Sequence, residues 1–170
     1  MPFGNAFTSW VSVAAILLAL YLLARHLSRR ARRLPYFARS HLLTKGELAF
    51  YQSLRLALPG GLIVSFKVRL SDVINCAGDA WRQGFGAKIS QKHLDFVVVD
   101  AATTAVRFVI ELDDRTHARH DRRQRDAFVD RALATAGVPI LRVTAAPSYD
   151  PAALRGAVLS SLSRAAHHPR

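Results

Sequence analysis

The chain opens on a continuous apolar run. No side chain before Arg25 is charged, and Trp10 to Ala24 (WVSVAAILLALYLLA) is interrupted by a single Ser. Counted from Phe7, the 18 residues to Ala24 approach the ~20 that cross ~30 Å of hydrocarbon at ~1.5 Å per residue, which predicts a transmembrane helix. Beyond it the pattern becomes that of a folded domain. Thr44-Lys-Gly-Glu47 is a capping box that opens a helix through about Leu58, with Leu48, Tyr51, Leu54, Leu56 and Leu58 as apolar surface. Pro59-Gly60-Gly61 ends it. Residues 62–70 alternate in their second half, with Phe66, Val68 and Leu70 set against Lys67 and Arg69, a strand with one wetter face. Residues 72–91, including Trp81 and Phe85, show no clear period. Asp95-Phe-Val-Val-Val-Asp100 and Val106-Arg-Phe-Val-Ile-Glu-Leu-Asp113 read as two strands of a hairpin. A polar helix follows from about Ala118 to Ala136 and stops at Gly137. Val138 to Val143 is a fourth strand, and Asp150-Pro151 caps a last helix reaching about Leu162.

This order predicts an α/β fold, a mixed four-stranded sheet flanked by helices, preceded by the transmembrane helix. The third and fourth strands are joined through a helix, so they should run parallel. The organisation expected is 1–33 for the membrane helix and its basic flank, 34–43 for a linker, 44–165 for the domain and 166–170 for a tail.

Charge refines the picture. The chain carries 24 Lys and Arg against 12 Asp and Glu, a formal +12. Arg25, Arg29, Arg30, Arg32 and Arg33 follow the apolar run directly. They place the N-terminus outside and the domain in the cytoplasm of a single-pass inner-membrane protein, with residues 7–27 in the bilayer and anionic lipid as the partner of these arginines. A cleaved signal fits less well, because the positive residues follow the apolar stretch. Cys76 is the single cysteine, which agrees with a reducing compartment.

Candidate chemistry sits on the hairpin. Asp95, Glu111 and Asp113 occupy apolar strands where Val or Ile would be expected, and acids in such a setting call for a cation. With the turn centred near Thr103, Asp95 pairs with Glu111. Asp95, Val97, Val99, Val109, Glu111 and Asp113 then share one face, and Phe96, Val98, Phe108, Ile110 and Leu112 the other. Two carboxylates ~5 Å apart repel by ~3 kcal/mol at an effective dielectric of ~20, enough to recruit a proton or a metal. Hard oxygens of this kind suit Mg²⁺ or Mn²⁺. Both faces are apolar, so a one-residue slip, leaving Glu111, Asp113 and Asp114 as a strand-end cluster, is the competing register.

Several segments together, Asp95-Phe-(Val)3, Ile110-Glu-Leu-Asp-Asp-Arg-Thr-His117, Arg125-Asp126-Ala-Phe and Val138-Pro-Ile-Leu-Arg142-Val, resemble the PD-(D/E)XK nuclease superfamily. The chain looks like a bacterial domain of unknown function near the very-short-patch-repair-like endonucleases, over about residues 41–145. That resemblance implies a restriction-endonuclease-like fold. It gives Asp95 and Glu111 the two acidic roles, the carbonyl of Leu112 a further metal contact, and Glu47 the place of an accessory acid. The superfamily's Lys two residues after the Glu is here Asp113. His117 is the substitute for it as a general base, and Lys92 the second candidate. Arg122 and Arg125, on the basic helix, are candidate nucleic-acid contacts; Arg142 is placed to pair with a core acid. Trp81 and Phe85 either stack on bases or anchor their loop. The expectation is therefore a membrane-anchored nuclease-like domain acting on DNA or RNA with Mg or Mn. Its alternative is a noncatalytic binding or assembly module of the same fold.

Overall fold

The computed structural model describes residues 4–30, 34–113 and 120–166. The chain divides into two units, Met1–Ser40 and His41–Arg170. The first holds one helix, α1 (Gly4–Arg30). Its Trp10–Ser28 stretch is long and apolar enough to cross a membrane, and none of that stretch is buried against protein.

The second unit contains α2 (Lys45–Ala57), β1 (Leu62–Arg69), α3 (Leu70–Val73), a 3-10 turn (Gly78–Trp81), α4 (Phe85–Ser90), β2 (His93–Asp100), β3 (Val106–Asp113), α5 (His120–Thr135), β4 (Ile140–Thr144) and α6 (Pro151–Ala166). The strands lie in the order β1-β2-β3-β4, antiparallel except for the parallel β3–β4 pair. The helical crossover through α5 accounts for that one parallel pairing. The stretch expected to be irregular, 72–91, instead folds into short helical pieces, and the last helix runs on to Ala166.

The turn between β2 and β3 sets the register. One carboxylate oxygen of Asp100 accepts from the Ala102 and Thr103 amides (3.1 and 3.0 Å) and from the Thr103 hydroxyl (2.9 Å). These bonds favour the ionised form and hold the Asp100 carboxyl below the usual range. The pairs that follow are Phe96↔Ile110, Val97↔Val109 and Val98↔Phe108, the register expected from a turn at Thr103; a bulge between Val98 and Val99 absorbs one residue.

Strand alternation then sorts the side chains onto two cores. Phe96, Val98, Phe108 and Ile110 pack with Phe50, Leu54 and Ala57 of α2 and Leu154 and Val158 of α6. Val97, Val99 and Val109 pack on the opposite face with Val129 and Leu133 of α5 and Ile89 of α4. Phe50 is fully buried, its ring 5.2 Å from Phe96 and 5.0 Å from Tyr149. Gly137 takes the left-handed backbone (φ 68°) that lets the chain leave α5 and turn into β4.

Candidate functional site

Glu47 reaches the sheet because of where it falls on α2. It precedes the buried Phe50 by three residues and Leu54 by seven, so it shares their inward face at the first turn. The capping box forms as expected. Thr44 Oγ1 accepts from the Glu47 amide (3.3 Å), and Glu47 Oε2 accepts from the Thr44 amide (2.8 Å). The other oxygen, Oε1, accepts from the ammonium of Lys67 on β1. Glu47 therefore caps the helix with one oxygen and faces the sheet with the other.

Lys67 is the residue that the sequence did not single out. It carries a left-handed backbone (φ 57°) inside an edge strand, a conformation costing roughly 1–2 kcal/mol for a residue with a Cβ. On either side the β1–β2 ladder is regular, with Phe66↔Phe96 and Val68↔Leu94, whereas Lys67 and Asp95 between them are not paired. The strands turn over at this point. Phe66 and Phe96 belong to the core under α2 and α6, Val68 and Leu94 to the core under α5. The turnover allows an ammonium from the wetter side of β1 to meet acids beside α2, and Lys67 Nζ stands 3.4 Å from Asp95 Oδ1 as well as against Glu47.

Asp95 closes the far side. Its Oδ2 accepts from the amide of Leu112 on β3 (3.0 Å), a side-chain bond in place of a backbone one where β2 and β3 part. The N–H and C=O of a strand residue point to the same side, so the Leu112 carbonyl also faces β2. The β2–β3 pairing ends at Phe96↔Ile110, so the expected Asp95↔Glu111 pair is not in the ladder: Asp95 turns to Lys67 and the Leu112 amide instead, and Glu111 Oε1 is withdrawn from solvent.

The pocket is half dry. The side chains of Glu47, Asp95 and Lys67 are 14, 23 and 38 % exposed. Burial pushes the Glu47 carboxyl up, but the Lys67 and Thr44 hydrogen bonds and the Lys67 charge outweigh it and hold it below the usual carboxylate range. Burial likewise lowers Lys67, and its two acid partners reverse that, leaving it above the ordinary lysine value.

The other expected residues separate. Asp113 is not part of this pocket: it accepts from Arg142 of β4 at 2.6 Å, and Arg142 bonds Asp130 of α5 at 2.7 Å. Arg142 is thus a clip between sheet and helix, the pairing with an acid that its strand position suggested. Burial lowers its guanidinium and the two acids raise it further, for a net rise. Lys92 precedes β2, offers its carbonyl to the Leu70 amide, and makes no ion pair with Glu47 or Asp95 among the described residues. His117 lies outside the described residues, as do the side chains of Arg122 and Arg125. Among the described residues no three His, Cys, Asp or Glu side chains stand together as a metal-binding group; a lysine ammonium lies between Glu47 and Asp95. Trp81 and Phe85 are each 48 % exposed.

Residues 39–162 match the family described as "Protein of unknown function (DUF2726)". No curated protein and no solved structure matches the chain. The match covers α2 through most of α6 and includes Glu47, Lys67, Asp95, Glu111 and the Arg142 clip, and the chain belongs to this family of proteins of unknown function.

Proposed function

We propose that the domain is a restriction-endonuclease-like, PD-(D/E)XK-type module that binds nucleic acid and hydrolyses phosphodiesters with Mg or Mn, held at the inner membrane by α1. The observation that carries this reading is the convergence of Glu47 and Asp95 on one ammonium where β2 and β3 part, with Glu111 just beyond the last β2–β3 pair. Carboxylate oxygens are the donor chemistry a hard divalent ion takes. With the Lys67 ammonium withdrawn from between Glu47 and Asp95, these two acids, Glu111 and the Leu112 carbonyl would hold it, and when bound it would supply an acidified water and a counter-charge for the phosphodiester. The chain's own groups do the rest. Lys67 presents a positive charge beside the acids, where negative charge on phosphate oxygens can be met. His117 handles the proton, with Lys92 as its alternate. Arg122 and Arg125 of α5 contact phosphates without reading sequence. The apolar helix crosses with its N-terminus out, and Arg25, Arg29, Arg30, Arg32 and Arg33 meet anionic lipid on the cytoplasmic side.

A second reading, a noncatalytic assembly module, is favoured by the internal neutralisation of the acids. Lys67 compensates Glu47 and Asp95, and Arg142 compensates Asp113 and Asp130. One experiment separates the two. The full chain in detergent is incubated with Mg²⁺ or Mn²⁺ and single- or double-stranded DNA or RNA, beside Asp95→Ala. Metal-dependent cleavage lost in Asp95→Ala supports the enzyme. Absence of cleavage in wild type, with Asp95→Ala changing only the melting temperature, supports the module. Protease access to the domain from outside sealed cells would overturn the orientation.

A further inference from the structure

We propose that the cleft between α4 and α5, with Phe85 in its wall and Trp81 against the start of α4, docks on the anionic surface of the bilayer. The proposal rests on the reading of α1 as a membrane span and is independent of any nuclease activity. The cleft encloses ≈ 590 Å³ and is lined chiefly by apolar side chains, among them Ile74, Cys76, Phe85, Ile89, Phe128 and Ala132. Phe85, which lines it, and Trp81, which lies against Gly86 of α4, fold into neither core and are each about half exposed.

Their exposure is built in rather than incidental. Gly86 has no Cβ, and one placed there would lie 2.4 Å from the Trp81 ring. The indole is therefore seated flat on the start of α4 with its other side outward. Lys88 Nζ sits 5.0 Å from the centre of the Phe85 ring, which braces that ring from one side. Arg82 is 87 % exposed, with Asp79 at 3.7 Å its ion-pair partner; Lys88 and Arg131 edge the cleft. Among the described residues that line the cleft, Lys88 and Arg131 carry positive charge and none is an acid.

Half-exposed indole and phenyl rings flanked by Lys and Arg are the side-chain set that settles at the headgroup level of a bilayer, rings toward the acyl chains and cations on anionic headgroups. Bases of a nucleic acid could stack on the two rings, but the mostly apolar wall beneath them offers few partners for the polar edges of a base. The span supplies the remaining argument. A domain tethered through a short segment meets its own bilayer at high effective concentration, so a patch of weak intrinsic affinity suffices.

The sequence has two tryptophans, Trp10 and Trp81, which makes the test direct. The full chain bearing Trp10→Phe, in which Trp81 is the sole tryptophan, is reconstituted into vesicles of phosphatidylcholine, with or without phosphatidylglycerol, whose acyl chains carry bromine near the headgroup. Docking predicts that Trp81 emission shifts to the blue and falls about twofold in the anionic vesicles, and that combined Arg82→Gln, Lys88→Gln and Arg131→Gln restores it. Unquenched Trp81 in a chain that resists carbonate extraction overturns the docking and leaves the tether standing. This is also the outcome if another protein, not lipid, covers the cleft. Release of the chain by carbonate overturns the tether itself. Equal quenching in neutral and anionic vesicles overturns the assignment of anionic headgroups.

Discussion

Replacing Lys67 by Gly and by Ala separates the two things this residue does. Either change removes the ammonium and both ion pairs, with Glu47 and Asp95. At 38 % side-chain exposure these pairs are worth no more than about 1 kcal/mol each after solvent screening. The two variants differ in the backbone. At φ 57° a Cβ costs roughly 1–2 kcal/mol, while glycine loses about 0.5–1 kcal/mol more chain entropy on folding. The balance favours Lys67→Gly over Lys67→Ala by about 1 kcal/mol, or about 4 °C in a domain of this size. At an ordinary strand position the sign is the reverse. Ser65, two residues earlier on the same edge strand with negative φ, is the internal control: there Ala should be the more stable by about 0.5–1 kcal/mol. Thermal and urea unfolding of the full chain in detergent, followed by the near-ultraviolet signal of the domain's aromatic residues, reads all four variants. If Ala equals or exceeds Gly at position 67, the left-handed lysine is wrong, and with it the turnover that brings Glu47 and Asp95 together.

Asp95→Ala strips the Leu112 amide of its acceptor in a part-buried place, costing about 1–3 kcal/mol; amide exchange at Leu112 should quicken there, and much less in Asp95→Asn, which keeps an acceptor oxygen. Gly86→Ala puts a methyl into the Trp81 ring, and because that ring is half exposed it should swing out at about 1 kcal/mol rather than crush the core; Trp81 fluorescence in the Trp10→Phe chain would redden, and an unchanged spectrum would refute the contact. The Glu47–Lys67 pair also predicts a pH profile. Glu47 is lowered, so its contribution is present above the unfolded Glu value and lost as pH falls through the folded one. Lys67 is raised, so its contribution is present below the unfolded Lys value and lost as pH rises through the folded one. The gap in melting temperature between wild type and Lys67→Met should hold from about pH 5 to about pH 10 and close outside it.

Much of this was readable in the residues because the signals were local. The turn at Asp100–Thr104 dictates the hairpin register, and the two-residue period then assigns Val97, Val99 and Val109 to one core and Phe96, Val98, Phe108 and Ile110 to the other. The capping box announces the start of α2 and, through helical periodicity, points Glu47 inward. Lys67 was not legible. In a strand that alternates Phe66, Val68 against Lys67, Arg69, a lysine on the wetter side looks solvated, and nothing in its local sequence signals a left-handed backbone, for which Gly or Asn is the usual mark. The turnover there arises only when β1 pairs with β2 over two separate cores. The helical pieces in 72–91 were hidden for a different reason, each being too short to display a 3.6-residue period.

The position two residues after Glu111 shows why the cation beside the acids comes from β1. Asp113 is bonded to Arg142, which also ties Asp130 of α5 to the sheet. A lysine at 113 would face that guanidinium, losing one ion pair and gaining a repulsion; at 30–45 % side-chain exposure the change amounts to about 1–2 kcal/mol once screened. While Arg142 clips α5, an acid at position 113 is favoured over a lysine by about 1–2 kcal/mol, and the positive charge beside Asp95 comes from Lys67 of β1. Asp113→Lys alone should therefore destabilise by about 1–2 kcal/mol, and Arg142→Ala alone by about 1 kcal/mol, since it leaves Asp113 and Asp130 unneutralised. Combined, they should cost less than the sum, because the repulsion vanishes with either partner. Urea unfolding of the four forms closes the cycle. Strict additivity would mean that Asp113 and Arg142 do not constrain one another, and the placement of the pocket's cation on β1 would then need another cause.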